Sequence, residues 1–271
     1  MIKAVILIGG PQKGTRFRPL SLDVPKPLFP VAGFPSIYHH IDALNQIEAV
    51  KEIYLMGFYQ PSESLTRFIA NAQAEFKTPI KYLQEYKTLG TAGGIYHFRD
   101  VLKSGNPKAI FVLNGDTAGD FPLNDMLKFH NEKNRGFTIL ATEATESQSM
   151  NYGCIVEDKV THEVLHYVEK PETYVSSLIN CGIYLFNCDL FDVIKEQLAT
   201  SPDQDLSAVN SFLVNDSSYS RDTINFEVNI FPFLSSNKKL YVYKTENMWS
   251  QIKSAGYELR TLVLKKKFNL R

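Results

Sequence analysis

The sequence is short of several things, and each shortage removes a class of protein. It has three cysteines in 271 residues, Cys154, Cys181 and Cys188, an odd number without metal-ligand spacing. That sets aside a disulfide scaffold and a zinc site, and reduced, mostly buried thiols are expected. Neither sign of charge is in excess, because 29 Lys and Arg balance 29 Asp and Glu. Nothing global therefore draws the chain to nucleic acid or to an anionic membrane. No apolar run approaches the length of a membrane span. The apolar stretch 4–8 is too short for a secretory leader and runs into Gly9-Gly10, then Lys13, Arg16 and Arg18, so a cytoplasmic protein is expected. Two nucleotide motifs are missing as well. Gly14 is followed by Thr15-Arg16, which puts no lysine where a P-loop needs it, and the dinucleotide fingerprint Gly-x-Gly-x-x-Gly is absent.

What is present is a chain 44% hydrophobic, long enough to bury a sizeable core in one large domain with at most a small appendage. β-rich runs at 4–8, 52–58, 80–83 and 109–113 alternate with helical patterns at 36–47, 62–76, 92–102 and 123–131. Pro122 suits the first turn of the last of these helices, and Gly105-Asn106-Pro107 marks a loop. The alternation predicts an α/β fold with a doubly wound, mainly parallel, Rossmann-like sheet. The second half reads differently. Strand patterns at 136–143, 152–157, 164–169 and 179–186 follow closely on one another, which predicts an antiparallel or mixed extension. Helices are expected at 189–198 and around 227–234, where Pro232 limits the second, with a strand at 240–244. A terminal helix is expected at 251–266 and a polar, flexible loop at 201–223. The expected organisation is a domain over 1–245 and a C-terminal helical segment over 246–271.

The most informative segment is the first strand and its sequel, Leu7-Ile8-Gly9-Gly10-Pro11-Gln12-Lys13-Gly14-Thr15-Arg16. A glycine-rich turn at the carboxyl end of a buried strand lets backbone N–H groups approach phosphates. Lys26 then sits between Pro25 and Pro27, as a phosphate contact or as a solvated surface charge. Asp116 ends the run Phe111-Val112-Leu113-Asn114-Gly115-Asp116, where a carboxylate is either a metal ligand opening onto the binding crevice or a plain loop residue.

Together Gly9-Gly10, Gly14-Thr15-Arg16, Pro19-Leu20 and Pro25-Lys26-Pro27 resemble the N-terminal signature of the sugar-1-phosphate nucleotidyltransferases. The likeness covers nearly the whole chain. Leu89-Gly90-Thr91-Ala92-Gly93 resembles the family's loop beside the nucleobase, with Glu85 just ahead of it. A carboxylate suits guanine, which presents two N–H donors along one edge, so Glu85 is a candidate for guanine choice beside the reading of a solvated charge. Asn151-Tyr152-Gly153, Val168-Glu169-Lys170-Pro171 and Ile179-Asn180-Cys181-Gly182-Ile183-Tyr184 resemble the family's sugar-side motifs. The resemblance implies nucleotide contacts at Leu7, Gly9, Gly10, Gly14, Thr15, Glu85, Gly90, Thr91 and Asp116. It also implies sugar contacts at Gly153, Glu169 and Asn180, and catalytic charges at Arg16, Lys26 and Lys170.

Within the family the chain looks most like the mannose-1-phosphate guanylyltransferase branch and its alpha-type, regulatory members. Competent relatives have a phosphate loop two residues shorter than the one containing Pro11-Gln12-Lys13, and carry a second metal aspartate where this chain has Gln251. An amide can ligate Mg2+ but brings no charge to offset it. The resemblance therefore implies a GDP-mannose-binding subunit that works beside a catalytic beta-type partner. The alternative is an active enzyme that joins GTP and mannose 1-phosphate with Mg2+ at Asp116. In that reading Arg16 steadies the outer phosphates, Lys26 the α-phosphate and Lys170 the attacking phosphate. A sugar-transferring enzyme is a third reading, weakened by Asn114 where an Asp-x-Asp motif needs an acid. Members of the branch continue into a left-handed β-helix beyond the point where this sequence stops, so the sequence reads as either a fragment or a shortened form.

Overall fold

The computed structural model describes residues 1–11, 17–18, 21, 24–132, 136–200 and 223–253. After β1 (Ile2–Gly9), a small hairpin of β2 (Pro30–Val31) and β3 (Phe34–Pro35) leads through a helix to β4 (Val50–Gly57). β5 (Ile80–Gln84), β6 (Ala109–Asn114) and the short β7 (Thr117–Gly119) follow. β5, β4, β1 and β6 lie side by side and all run parallel, so their carboxyl ends share one edge. Both faces of these strands are apolar, as expected of a parallel sheet covered on both sides. Val5, Tyr54 and Val112 pack on one face, and Ala4, Ile6, Ile53, Leu55, Phe111 and Leu113 on the other.

The second half supplies β8 (Phe137–Glu143), β9 (Gly153–Glu157), β10 (Val164–Glu169), β11 (Leu178–Phe186) and β12 (Leu240–Lys244). All nine residues of β11 are buried because it is the hub. One edge pairs with β8; the other pairs with β6 at residues 183–186 and touches β9 at Ile179, all antiparallel. Between these stretches Gly182 adopts φ +73°, in a register break that bends β11 beside Asn114. The sheet is thus mainly parallel with an antiparallel extension, and the crevice opens where β6 stops and β11 carries on toward β9.

Helices Ser36–Asn45, Glu63–Glu75 and Leu123–Glu132 bury apolar residues on one face of the sheet. Gly90–His97 and Leu190–Thr200 serve the other. The Ser62 hydroxyl accepts a bond from the Leu65 amide at 3.3 Å and caps the second of these helices. Three expectations are revised. The helix expected at 92–102 is two helices, Gly90–His97 and Arg99–Lys103, because Phe98 leaves helical geometry between them. The helix expected around Glu227 begins as a π-turn, Phe226–Ile230, and becomes α-helical at Phe231–Ser236 with Pro232 in its first turn. No helix starts at Gln251: β13 (Trp249–Gln251) pairs antiparallel with β7. The sequence pattern missed this because two three-residue strands are too short to show alternation. The rest of that expected helix, 254–266, and the loop 201–222 lie outside the described residues. Among the described residues no helix is long and apolar enough to cross a membrane.

Candidate functional site

Two cavities meet at the carboxyl edge of the parallel strands. The smaller, of about 250 Å3, is lined by Leu7, Gly9, Gly10, Lys26, Glu85, Gly90, Thr91 and Asp116. Gly9 holds φ +69°, a left-handed turn that ends β1 and that glycine tolerates. Glu85 follows β5 and is 8% exposed, with its backbone amide on the Gly57 carbonyl at 2.8 Å. Its carboxyl lies against Gly94, where a side chain of any size would collide with it. Gly90, at φ +79°, starts the helix whose first amides are already engaged. Thr91 N–H donates to Asn225 Oδ1 at 3.2 Å, and the amides of Ala92 and Gly93 donate to the Ile224 carbonyl at 3.1 Å. Gly14, Thr15 and Arg16 lie outside the described residues.

Asp116 stands at the seam between the cavities. Lys26, on a one-turn helix Lys26–Leu28 started by Pro25, places Nζ 3.4 Å from Asp116 Oδ2. The pairing of β13 with β7 sets Gln251 opposite Thr117, and Ile252 N–H donates to the Asp116 carbonyl at 2.7 Å. Gln251 Nε2 therefore lies 3.2 Å from both carboxylate oxygens of Asp116. Its amide presents N–H donors, not a second anionic ligand. Among the described residues no group of three His, Cys, Asp or Glu side chains could hold a metal. A divalent cation here would draw one carboxylate from the protein and the rest of its shell from ligand oxygens and water. Behind Asp116 the fully buried His40 meets Thr117 Oγ1 at 3.1 Å, and burial pulls its pKa down to about 4, so it is neutral.

The larger cavity, of about 650 Å3, shares Asn114 and Gln251 with the smaller one. Gly153, Glu169, Lys170 and Asn180 all line it, beside Tyr152, Asn225, Glu227, Trp249 and Lys253. Lys170 takes φ +45° and its Nζ pairs with Glu169 Oε1 at 2.5 Å. The space that a Cβ would fill at Gly153 holds the Tyr167 hydroxyl, with Glu169 Oε2 2.9 Å from the same point. Trp249 is fixed by its indole N–H on the Cys181 carbonyl at 2.9 Å and meets Tyr152 edge to face at 5.3 Å. Lys253 lies 4.0 Å over the Tyr152 ring and donates to the Asn151 carbonyl at 3.0 Å.

Every expected site residue that the structure describes therefore lines one cavity or the other. Tyr167, Tyr184 and Glu227 were missed. Tyr184 closes one of the sugar-side motifs and Tyr167 follows Thr161 to His166, yet both read as core residues of strands, and Glu227 reads as a polar position of a helix. The three thiols are free, and burial raises each of them.

Residues 3–227 match the nucleotidyl transferase family. Over 259 residues the chain is 56% identical to the Xenopus laevis protein named mannose-1-phosphate guanyltransferase alpha-A, covering 94% of this chain and 60% of that one. Over 268 residues it is 52% identical to the human mannose-1-phosphate guanylyltransferase regulatory subunit alpha, covering 96% and 61%. The chain thus spans about 60% of the length of these curated relatives. Among solved structures, a Bacillus anthracis protein assigned as a glucose-1-phosphate thymidylyltransferase superposes with a TM-score of 0.79 at 21% identity, covering 100% of this chain and 98% of that one. HddC from Yersinia pseudotuberculosis gives 0.68 at 19%, covering 99% and 100%. At that identity the likeness is one of fold.

Proposed function

The chain belongs to the nucleotidyl transferase family, and from that footing we propose that it is a GDP-mannose-binding, regulatory protein of GDP-mannose biosynthesis with weak or no turnover of its own. The observation that carries this reading is Gln251, which turns its amide N–H toward both oxygens of Asp116 at 3.2 Å. Competent relatives, by the resemblance set out above, place a second aspartate there. Around that seam the two cavities suit a nucleoside diphosphate joined to a sugar. Glu85 faces guanine at the inner wall of the smaller one. Glu169 reads sugar hydroxyls in the larger one, and the phosphates lie between Lys26 and Lys170. By the resemblance, Gly14, Thr15 and Arg16, which lie outside the described residues, would contact the phosphates. Among the described residues Asp116 is the carboxylate that would hold Mg2+, supplemented by phosphate oxygens, and the ion would there offset phosphate charge. The relatives' printed name, regulatory subunit alpha, supports a catalytic partner subunit; this reading takes that partner to be of the beta type, to which the chain reports bound GDP-mannose.

A second reading keeps the reaction itself: mannose 1-phosphate attacks the α-phosphorus of GTP in line and pyrophosphate leaves. Lys26 beside Asp116 favours it, since that lysine is already aimed at the place where phosphate charge would gather. Transfer of this kind needs positioning and charge neutralisation more than covalent help. Pyrophosphate release with GTP, mannose 1-phosphate and Mg2+, run beside calorimetric titration of GDP-mannose, separates the two. Tight GDP-mannose binding without release is the expected result. Release at an ordinary enzymatic rate overturns the regulatory reading.

A further inference from the structure

Two carboxyl groups line the larger cavity, and only Glu169 belongs to a recognisable motif. The other, Glu227, comes from the π-turn Phe226–Ile230 on a different element of the fold. A single amide links them. Asn180 Oδ1 accepts the Gly182 amide at 2.8 Å, which fixes the orientation of the side chain. Nδ2 then has two hydrogens to give, and it gives one to the Tyr167 hydroxyl and one to the Tyr184 hydroxyl, each at 3.1 Å. A phenol that accepts from Asn180 sends its own proton elsewhere. Tyr167 donates to Glu169 Oε2 at 3.1 Å, and Tyr184 donates to Glu227 Oε1 at 3.3 Å. The result is two arms of the same make, each running from the buried amide through a tyrosine to a carboxyl on the cavity wall.

We propose that Glu227 is a second carboxyl contact for the hydroxylated ring held in the larger cavity, the counterpart of Glu169 on the opposite arm. The proposal deepens the reading of the site as one for a nucleotide sugar and rests on it. It also gives Asn180 a different part. Both of its amide hydrogens are spent on tyrosines, so it positions the two carboxyls that meet the sugar. A carboxyl accepts O–H donors and offers none when ionised, and a ring carrying several hydroxyls supplies those donors where an anionic ligand cannot. Burial, with Glu169 near by, pushes the Glu227 carboxyl above the usual range.

The same carboxyl has a second set of bonds that allows a rival explanation. Thr91 Oγ1 donates to Glu227 Oε2 at 3.1 Å while accepting the Phe226 amide at 3.0 Å. Glu227 could thus be only a brace that holds the start of the nucleotide-side helix. Ligand dissection separates contact from brace. GDP-mannose and GDP are titrated by calorimetry into the full chain and into the Glu227→Gln and Glu227→Ala variants. Thermal unfolding midpoints accompany each titration.

If Glu227 meets the sugar, both variants bind GDP-mannose roughly tenfold to a hundredfold more weakly while GDP affinity stays within about twofold. Equal loss for both ligands makes Glu227 a brace and overturns the proposal. Unchanged GDP-mannose affinity overturns it as well. The Gln variant keeps an acceptor for Tyr184 and so remains informative if the Ala variant unfolds. A wild-type chain that binds GDP but not GDP-mannose would sink the functional reading itself, a different result from either of these.

Discussion

The two cavities touch at Asn114 and Gln251, yet they are made in different ways. The smaller one is built at the ends of β1, β4 and β5 and at the start of one helix, from residues that are neighbours in the sequence and from glycines that let backbone come close. The larger one is built from side chains of β9, β10 and β11 and a distant π-turn, tied by a hydrogen-bonded relay. The difference follows from topology. Parallel strands deliver all their carboxyl ends to one edge, so each strand-to-helix turn can contribute a short contiguous motif. An antiparallel hub brings together residues far apart in sequence, and the contacts among them leave no contiguous signature. The smaller cavity depends on backbone shape with one buried acid at its wall. The larger cavity depends on proton direction along a chain of side chains.

The sharpest way to break this comparison is at the buried acid of the smaller cavity. Glu85 is 8% exposed, and Glu85→Gln keeps its shape while replacing one acceptor oxygen by a donor. If guanine is read by that carboxyl, the variant loses about 3 kcal/mol of GDP affinity, roughly a hundredfold, and gains in relative preference for UDP. Calorimetry with both nucleotides checks this. An equal loss for GDP and UDP would mean that Glu85 merely supports the wall at Gly94.

That asymmetry also explains what could be read in advance. The parallel half was legible almost throughout, because strands such as Ile2–Gly9 and Ala109–Asn114 are buried on both faces and end in glycine or polar turns. The residues lining the smaller cavity were legible for the same reason: Gly9-Gly10, Lys26 and Gly90-Thr91 each sit in a compact motif. In the larger cavity, Glu169 and Lys170 were visible as a motif and Tyr184 at the end of another, but both Tyr167 and Tyr184 alternate into the core and look like packing. Glu227 lies 58 residues after Glu169, and only folding brings it to the same wall. The ribbon of Thr117–Gly119 and Trp249–Gln251 was invisible because each strand is three residues long. Its placement of Gln251 opposite Thr117 was therefore out of reach, although Gln251 itself was noticed as a departure.

The relay on the sugar side offers a second test, of intermediate size. Tyr184 is fully buried and Tyr167 nearly so. Tyr184→Phe leaves one Asn180 hydrogen without an acceptor and removes the donor to Glu227 Oε1, and Tyr167→Phe does the same on the Glu169 arm. Each is expected to cost about 2 kcal/mol of folding stability, because a buried donor left unpaired costs more than the bond it lost. The double variant strips Asn180 of both acceptors, so its cost should depart from the sum of the two singles. Denaturant unfolding of the four proteins measures this. Additive costs of a few tenths of a kcal/mol would show that the arms are packing with incidental hydroxyls.

The smallest effect is expected at the seam, and it tests why the two halves can share a wall at all. Asp116 is about one-third exposed and has Lys26 and the Gln251 amide as its partners, so its charge is met without a second acid beside it. Gln251→Asp removes those two N–H bonds and sets carboxylate against carboxylate. With the site partly open to water, the repulsion is screened and the expected loss is only about 1 kcal/mol. The sign of the response to cation is the informative part. In the presence of chelator the variant should melt below the wild type, and added Mg2+ should raise its midpoint by more than it raises that of the wild type, since a metal binding the folded state alone stabilises it by mass action. Should Mg2+ leave both midpoints alike, the geometry at 116 and 251 does not by itself make a cation site. The segment Pro11-Gln12-Lys13, which the resemblance marks as an insertion, would then be the next place to test.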